Sequence, residues 1–176
     1  MNDFGVITAP DTVHITRRLP GPIERVWAYL TESDKRAQWL ASGPMDLRPG
    51  GAIALTFNNS ELTGNDGTPP PKYAAHACQA EMTAEVLECD PPHLLRQSWG
   101  KTSEVCFTLT AEGDQVVLEV LHTRLPDRDN MLSVSAGWHA HLEILIARLK
   151  GETPPGFWPL HTQLEAAYDQ RLPQAP

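Results

Sequence analysis

Residues 131–151 read MLSVSAGWHAHLEILIARLKG. Met131, Val134, Trp138, Leu142, Leu145 and Leu149 recur at spacings of three and four, which gathers them on one stripe of an α-helix. Lys150 and Gly151 end it, a basic residue in the last turn followed by the residue that most readily adopts the left-handed helix stop. A stripe this long needs an equally long apolar partner, and the residues upstream supply it as β-structure.

In SEVCFTLTAEGDQVVLEVLHTRL (103–125), Val105, Phe107 and Leu109 face one side, Gly113 and Asp114 make the turn, and Leu118, Val120 and His122 answer on the same side. EVLECDPPHLLRQSW (85–99) is a second hairpin. Its Asp90, Pro91 and Pro92 form the turn, since proline lacks the ladder donor and pushes the residue before it out of the helical region. Met82, Ala84 and Val86 alternate on the way in; Leu95, Gln97 and Trp99 share a face on the way out. MDLRPGGAIALTF (45–57) predicts a strand, a turn at Pro49–Gly51 and a second strand carrying Ile53, Leu55 and Phe57. Nearer the N-terminus, VHITR (13–17) alternates as a strand, Pro22 opens a helix with Ile23, Val26, Trp27 and Leu30 on one stripe, and SDKRAQWL forms a short second helix with Ser33 as its N-cap.

These elements add up to an α+β arrangement: a curved antiparallel sheet of about seven strands wrapped on the long C-terminal helix, with two short helices after the first strand. Residues 12–151 form the domain. Residues 152–176, a proline-rich link and a short helix with Leu160, Leu164 and Tyr168 on one side, form an extension packed on it by Phe157 and Trp158. Residues 58–72, NNSELTGNDGTPPPK, carry no apolar period and read as a mobile surface loop dispensable for folding.

The composition excludes several function classes. The net charge of -8 and the lack of a basic run interleaved with aromatics argue against nucleic acid. No apolar stretch approaches the roughly 20 residues of a membrane span, and the first dozen residues lack the charged and apolar regions of a signal peptide, so a cytoplasmic protein is expected. Cys78, Cys89 and Cys106 are an odd, scattered set that predicts no disulfide framework. Metal-ligand and phosphate-loop motifs are missing, and no cofactor is implied.

PIERVWAYLTESDKRAQWL, DLRPGGAI, EVLECDPPHLLRQSW and GWHAHLEILIARLKG occur in an order that resembles the activator of heat-shock protein 90 ATPase homologue-like family, part of the START and Bet v-like (SRPBCC) helix-grip superfamily. The resemblance covers about residues 12–151 and implies a cavity between sheet and long helix that binds a small hydrophobic or amphipathic molecule. It implies no catalytic residue, because the family has no universal catalytic motif to carry over. Two other classes stand beside the binding reading: a co-chaperone-like module acting on a protein partner or as a homodimer, and a cyclase- or hydrolase-type enzyme using His122 with bound water.

Parity selects the cavity residues. Side chains two apart on a strand share a face, so His122 goes with Leu118 and Val120, and Gln97 goes with Leu95 and Trp99. Gln97 and His122 are the expected polar groups of the ligand site, with Trp99, Phe107, Val120 and Trp138 as its apolar lining and His141 beside Trp138 at its edge. For His122, the bland alternative is a core histidine satisfied by a neighbouring hydroxyl or carbonyl. His139 and His141 point about 200° apart on a helix and cannot clasp one metal. His14, His76, His93 and His161 read as surface or turn residues.

Overall fold

The structure, a computed structural model, describes residues 3–173 apart from the side chain of His76. Seven strands form one antiparallel sheet: β1 (Val6–Ala9), β2 (Thr12–Pro20), β3 (Ala52–Phe57), β4 (Ala80–Asp90), β5 (Leu94–Trp99), β6 (Ser103–Glu112) and β7 (Gln115–Thr123), in the spatial order β1-β2-β7-β6-β5-β4-β3. Two short helices, α1 (Ile23–Thr31) and α2 (Ser33–Arg36), follow β2. The long helix α3 (Arg128–Lys150) crosses the sheet, and α4 (Phe157–Arg171) lies on α3. This is the helix-grip arrangement.

Register carries the alternation of the sequence into one inward face. Val105 pairs with His122, Phe107 with Val120 and Leu109 with Leu118, while Val105 also pairs with Gln97 on the other side. All seven side chains are buried. A bulge between Val86 and Glu88 shifts the inward positions of β4, so that Met82, Ala84 and Val86 are followed by Cys89 opposite Leu95. The α1 stripe is buried as the spacing predicts, and Gly151 stops α3 at a φ of 70°.

The helix α3 is buried on more than its stripe. Met131, Trp138, Leu142, Leu145 and Leu149 face the core, but Leu132, Ala136, His139, Ala140 and Ile144 are buried as well. The last helix, α4, explains this: its buried residues Phe157, Trp158, His161, Leu164 and Tyr168 cover what the sheet leaves open.

Several expectations are corrected. Residues 45–48 form no strand; only isolated bridges, Ser42 to Thr56 and Met45 to Ile53, cover the outer edge of β3. The seventh strand is instead β1, whose residues are too exposed to alternate clearly, with Val6 60% accessible. Ser33 does not cap α2; its Oγ accepts the Gly43 amide 2.8 Å away.

The 58–72 segment is bound down. Asp66 is buried, and its carboxylate accepts from Thr63 N (2.8 Å), Thr63 Oγ1 (2.6 Å), Gly64 N (3.2 Å) and Phe157 N (2.9 Å). Its carbonyl takes the Trp158 amide at 3.1 Å, so one residue satisfies the first two amides of α4. Gly156 permits the approach, since a Cβ there would stand 2.0 Å from the Asn65 oxygen. Arg148 Nη2 donates to Leu62 O and Trp158 Nε1 to Ser60 Oγ. Polar composition reads as mobility only when no helix end needs those acceptors.

Candidate functional site

On the inward face of the sheet, His122 meets α3 within a cluster of rings formed by Trp99, Phe107 and Trp138. His122 is fully buried, with Nε2 2.9 Å from Ser103 Oγ and Nδ1 3.0 Å from Trp138 Nε1. An indole N–H only donates, so Nδ1 is the acceptor and Nε2 carries the proton. Nε2–H then donates to Ser103 Oγ, whose own hydrogen goes to the Trp99 carbonyl at 2.7 Å. Burial pushes the His122 pKa down to about 4, which keeps the ring neutral as this chain of donors requires. Both nitrogens are occupied. No lone pair is left to activate a water, and the satisfied core histidine describes this residue.

Above that chain lies a pocket of about 190 Å³ between sheet and helix. Trp99 and Phe57 wall it from the strands, Ser133, Val134, Gly137, Trp138 and His141 from α3, and Leu40 from the segment after α2. The rings form a continuous surface: Trp99 lies 5.1 Å from Trp138 and 6.0 Å from Phe57 between centroids. Of the seven residues expected in the site, Trp99, Trp138 and His141 line this pocket. His122 and Phe107 stand behind it, each in ring contact with Trp138, and Gln97 and Val120 are buried in the same sheet face.

The family described as Activator of Hsp90 ATPase homolog 1-like protein matches residues 20–150, most of the grip and the whole of this pocket's walls. The chain belongs to that family. The solution structure of the protein encoded by gene BPP1335 from Bordetella parapertussis is similar to this family member at 43% identity, covering 98% of this chain and 92% of that one with a TM-score of 0.81. CalU16 from Micromonospora echinospora shares the fold at 24% identity, 90% and 86% coverage and a TM-score of 0.64. So does the conserved protein of unknown function EF2215 from Enterococcus faecalis, at 20% identity, 97% and 90% coverage and a TM-score of 0.69. No curated protein matches. Among the described residues, no group of three or more His, Cys, Asp and Glu is placed to hold a metal, and no helix is long and apolar enough to cross a membrane.

This member of the Hsp90-activator-like family also holds polar groups that sequence reasoning missed. Arg17 is 5% exposed on the inward face of β2, its Nη1 bonded to Thr16 O at 2.9 Å and its Nε 3.5 Å from Glu143 Oε1. Parity with Val13 and Ile15 was the available signal. Beside it, the Gly5 amide donates to Tyr168 Oη at 2.7 Å, and that hydroxyl meets His139 Nδ1 at 2.9 Å. Arg36 is buried and donates to the carbonyls of Leu30, Thr31, Ala41 and Gly43, binding the end of α1 to the segment after α2. His161 is not a surface residue: it is 4% exposed in α4, packed on Phe157, Trp158 and Tyr73.

Proposed function

We propose that the chain binds a small apolar or amphipathic molecule in the pocket between the sheet and α3, with Trp99, Trp138 and His141 in contact with it. Gln97, Phe107, Val120 and His122 form the layer behind, where His122 fixes the Trp138 indole. The observation that supports this reading is the pocket wall itself: an aromatic surface with no charged side chain, located where the grip opens. At about 190 Å³ the space is below the roughly 300–1,000 Å³ of a drug-sized ligand site, so it suits a molecule of no more than one or two rings.

The protein-partner reading has less support. Among the described residues the exposed large apolar side chains are Val6, Leu47 and Leu121; Val6 and Leu121 flank His14 in one row of the outer sheet face, and three such residues are too few to make the contiguous patch that marks a docking face.

Native mass spectrometry of the purified protein, followed by titration with naphthalene while the indole N–H resonances of Trp99 and Trp138 are recorded, tests the proposal. Saturable shifts at both indoles are expected, with the Trp138 shift lost in Trp99→Ala. Shifts confined to other residues, or none at all, would overturn it.

A further inference from the structure

His141 raises an accounting question that His122 does not. Its Nδ1 lies 2.7 Å from the Trp39 carbonyl oxygen, which only accepts, so Nδ1 holds the ring proton. In the neutral ring Nε2 is then a bare lone pair. Desolvation, the largest cause, pushes the His141 pKa down to about 4, so the ring stays neutral at physiological pH. No donor among the described residues reaches Nε2. The residue is 6% exposed and lines the pocket.

The other polar atoms of the wall are committed. The Trp138 N–H is spent on His122. The Ser133 hydroxyl is a hydrogen-bond partner of the Tyr73 phenol, which does not line the pocket. No Lys or Arg lines the pocket, in a chain of net charge -8, so nothing there offsets the cost of desolvating an anion.

We infer that His141 Nε2 sets the specificity of the pocket: it takes neutral, flat molecules that present one O–H or N–H donor, such as a phenol, an enol or an N–H heteroaromatic, and rejects carboxylates. Nε2 is open to the pocket space, and an occupant that covers it without bringing a donor leaves it shut off from water and unpaired, which turns a single hydrogen bond into selectivity. This inference rests on the binding reading above.

Four probes of one shape separate the two: naphthalene, 2-naphthol, 2-methoxynaphthalene and 2-naphthoate, titrated calorimetrically into the full chain. 2-Naphthol is expected to bind about 3- to 10-fold tighter than 2-methoxynaphthalene, the range of one hydrogen bond, with 2-naphthoate weakest. His141→Asn keeps a donor for the Trp39 carbonyl and removes Nε2, so the preference should vanish while naphthalene still binds. In the wild type, where folding of the variant is not at issue, the His141 Nε2 nitrogen resonance should move with 2-naphthol and stay in place with 2-methoxynaphthalene. Equal affinities with an unmoved Nε2 would overturn the inference and leave the binding reading standing. Failure of all four probes to bind would remove both.

Discussion

Replacing Asp66 by alanine tests whether the 58–72 segment is a structural clasp. The carboxylate accepts four hydrogen bonds, of which three, from Thr63 and Gly64, shape the local turn and one comes from the Phe157 amide at the start of α4. Losing the turn bonds compares with losing a helix cap, about 0.5–2 kcal/mol. Leaving the buried Phe157 N–H unpaired adds about 1–3 kcal/mol. The sum, about 2–4 kcal/mol after allowance for the coupling of neighbours, lowers the melting temperature of a chain this size by roughly 5–15 °C. Asp66→Asn retains an acceptor oxygen and should lose less. Thermal unfolding by circular dichroism measures the total, and amide exchange locates it, with α4 expected to lose protection first. A variant that melts within about 2 °C of the wild type with α4 still protected would refute the clasp and restore the expectation of a dispensable loop.

Three further outcomes follow from the buried polar groups. His122→Phe removes the acceptor of the Trp138 indole and should cost about 1–3 kcal/mol in urea unfolding, so unchanged stability would show the 3.0 Å contact to be worth nothing. Glu143→Ala leaves the Arg17 guanidinium without its counter-ion; because Glu143 is itself partly exposed, the loss should be about 1–3 kcal/mol, and Arg17→Met in the same background should recover part of it. Acid should destabilise the fold. His122, His139 and His141 are each held near 4 against an ordinary 6.5, so the unfolded chain binds more protons between those values, and stability present above about pH 6.5 is lost as the pH falls toward 4. A stability profile flat over that window would contradict the neutral rings.

The parity of β6 and β7 was legible because their side chains alternate cleanly, and it placed Phe107, Val120 and His122 on one face before any coordinates. The same rule run on from Val13 and Ile15 puts Arg17 inward, but a charged side chain invites a solvent reading, and its burial is offset by the Thr16 carbonyl and the Glu143 carboxylate on α3. The roles of His122 and His141 were beyond the sequence for a different reason. Each depends on which ring nitrogen faces a donor or a carbonyl, and the partners Trp138, Ser103 and Trp39 come from three separate elements. Asp66 looked like one polar residue among many, because its partner amide lies 91 positions away.

The burial of α3 on two sides has a consequence for traffic. A helix held by the sheet beneath, by α4 above and by Arg148 to the Gln38 and Leu62 carbonyls cannot swing out as a door without breaking all three. Among the described residues the opposite rim carries no such ties: there Trp99 ends β5 and is followed by the exposed turn at 100–102 before β6. For the occupant proposed above, shortening or stiffening that turn is expected to change how fast it leaves more than how tightly it binds, since the turn adjoins Trp99 but is not itself part of the pocket wall.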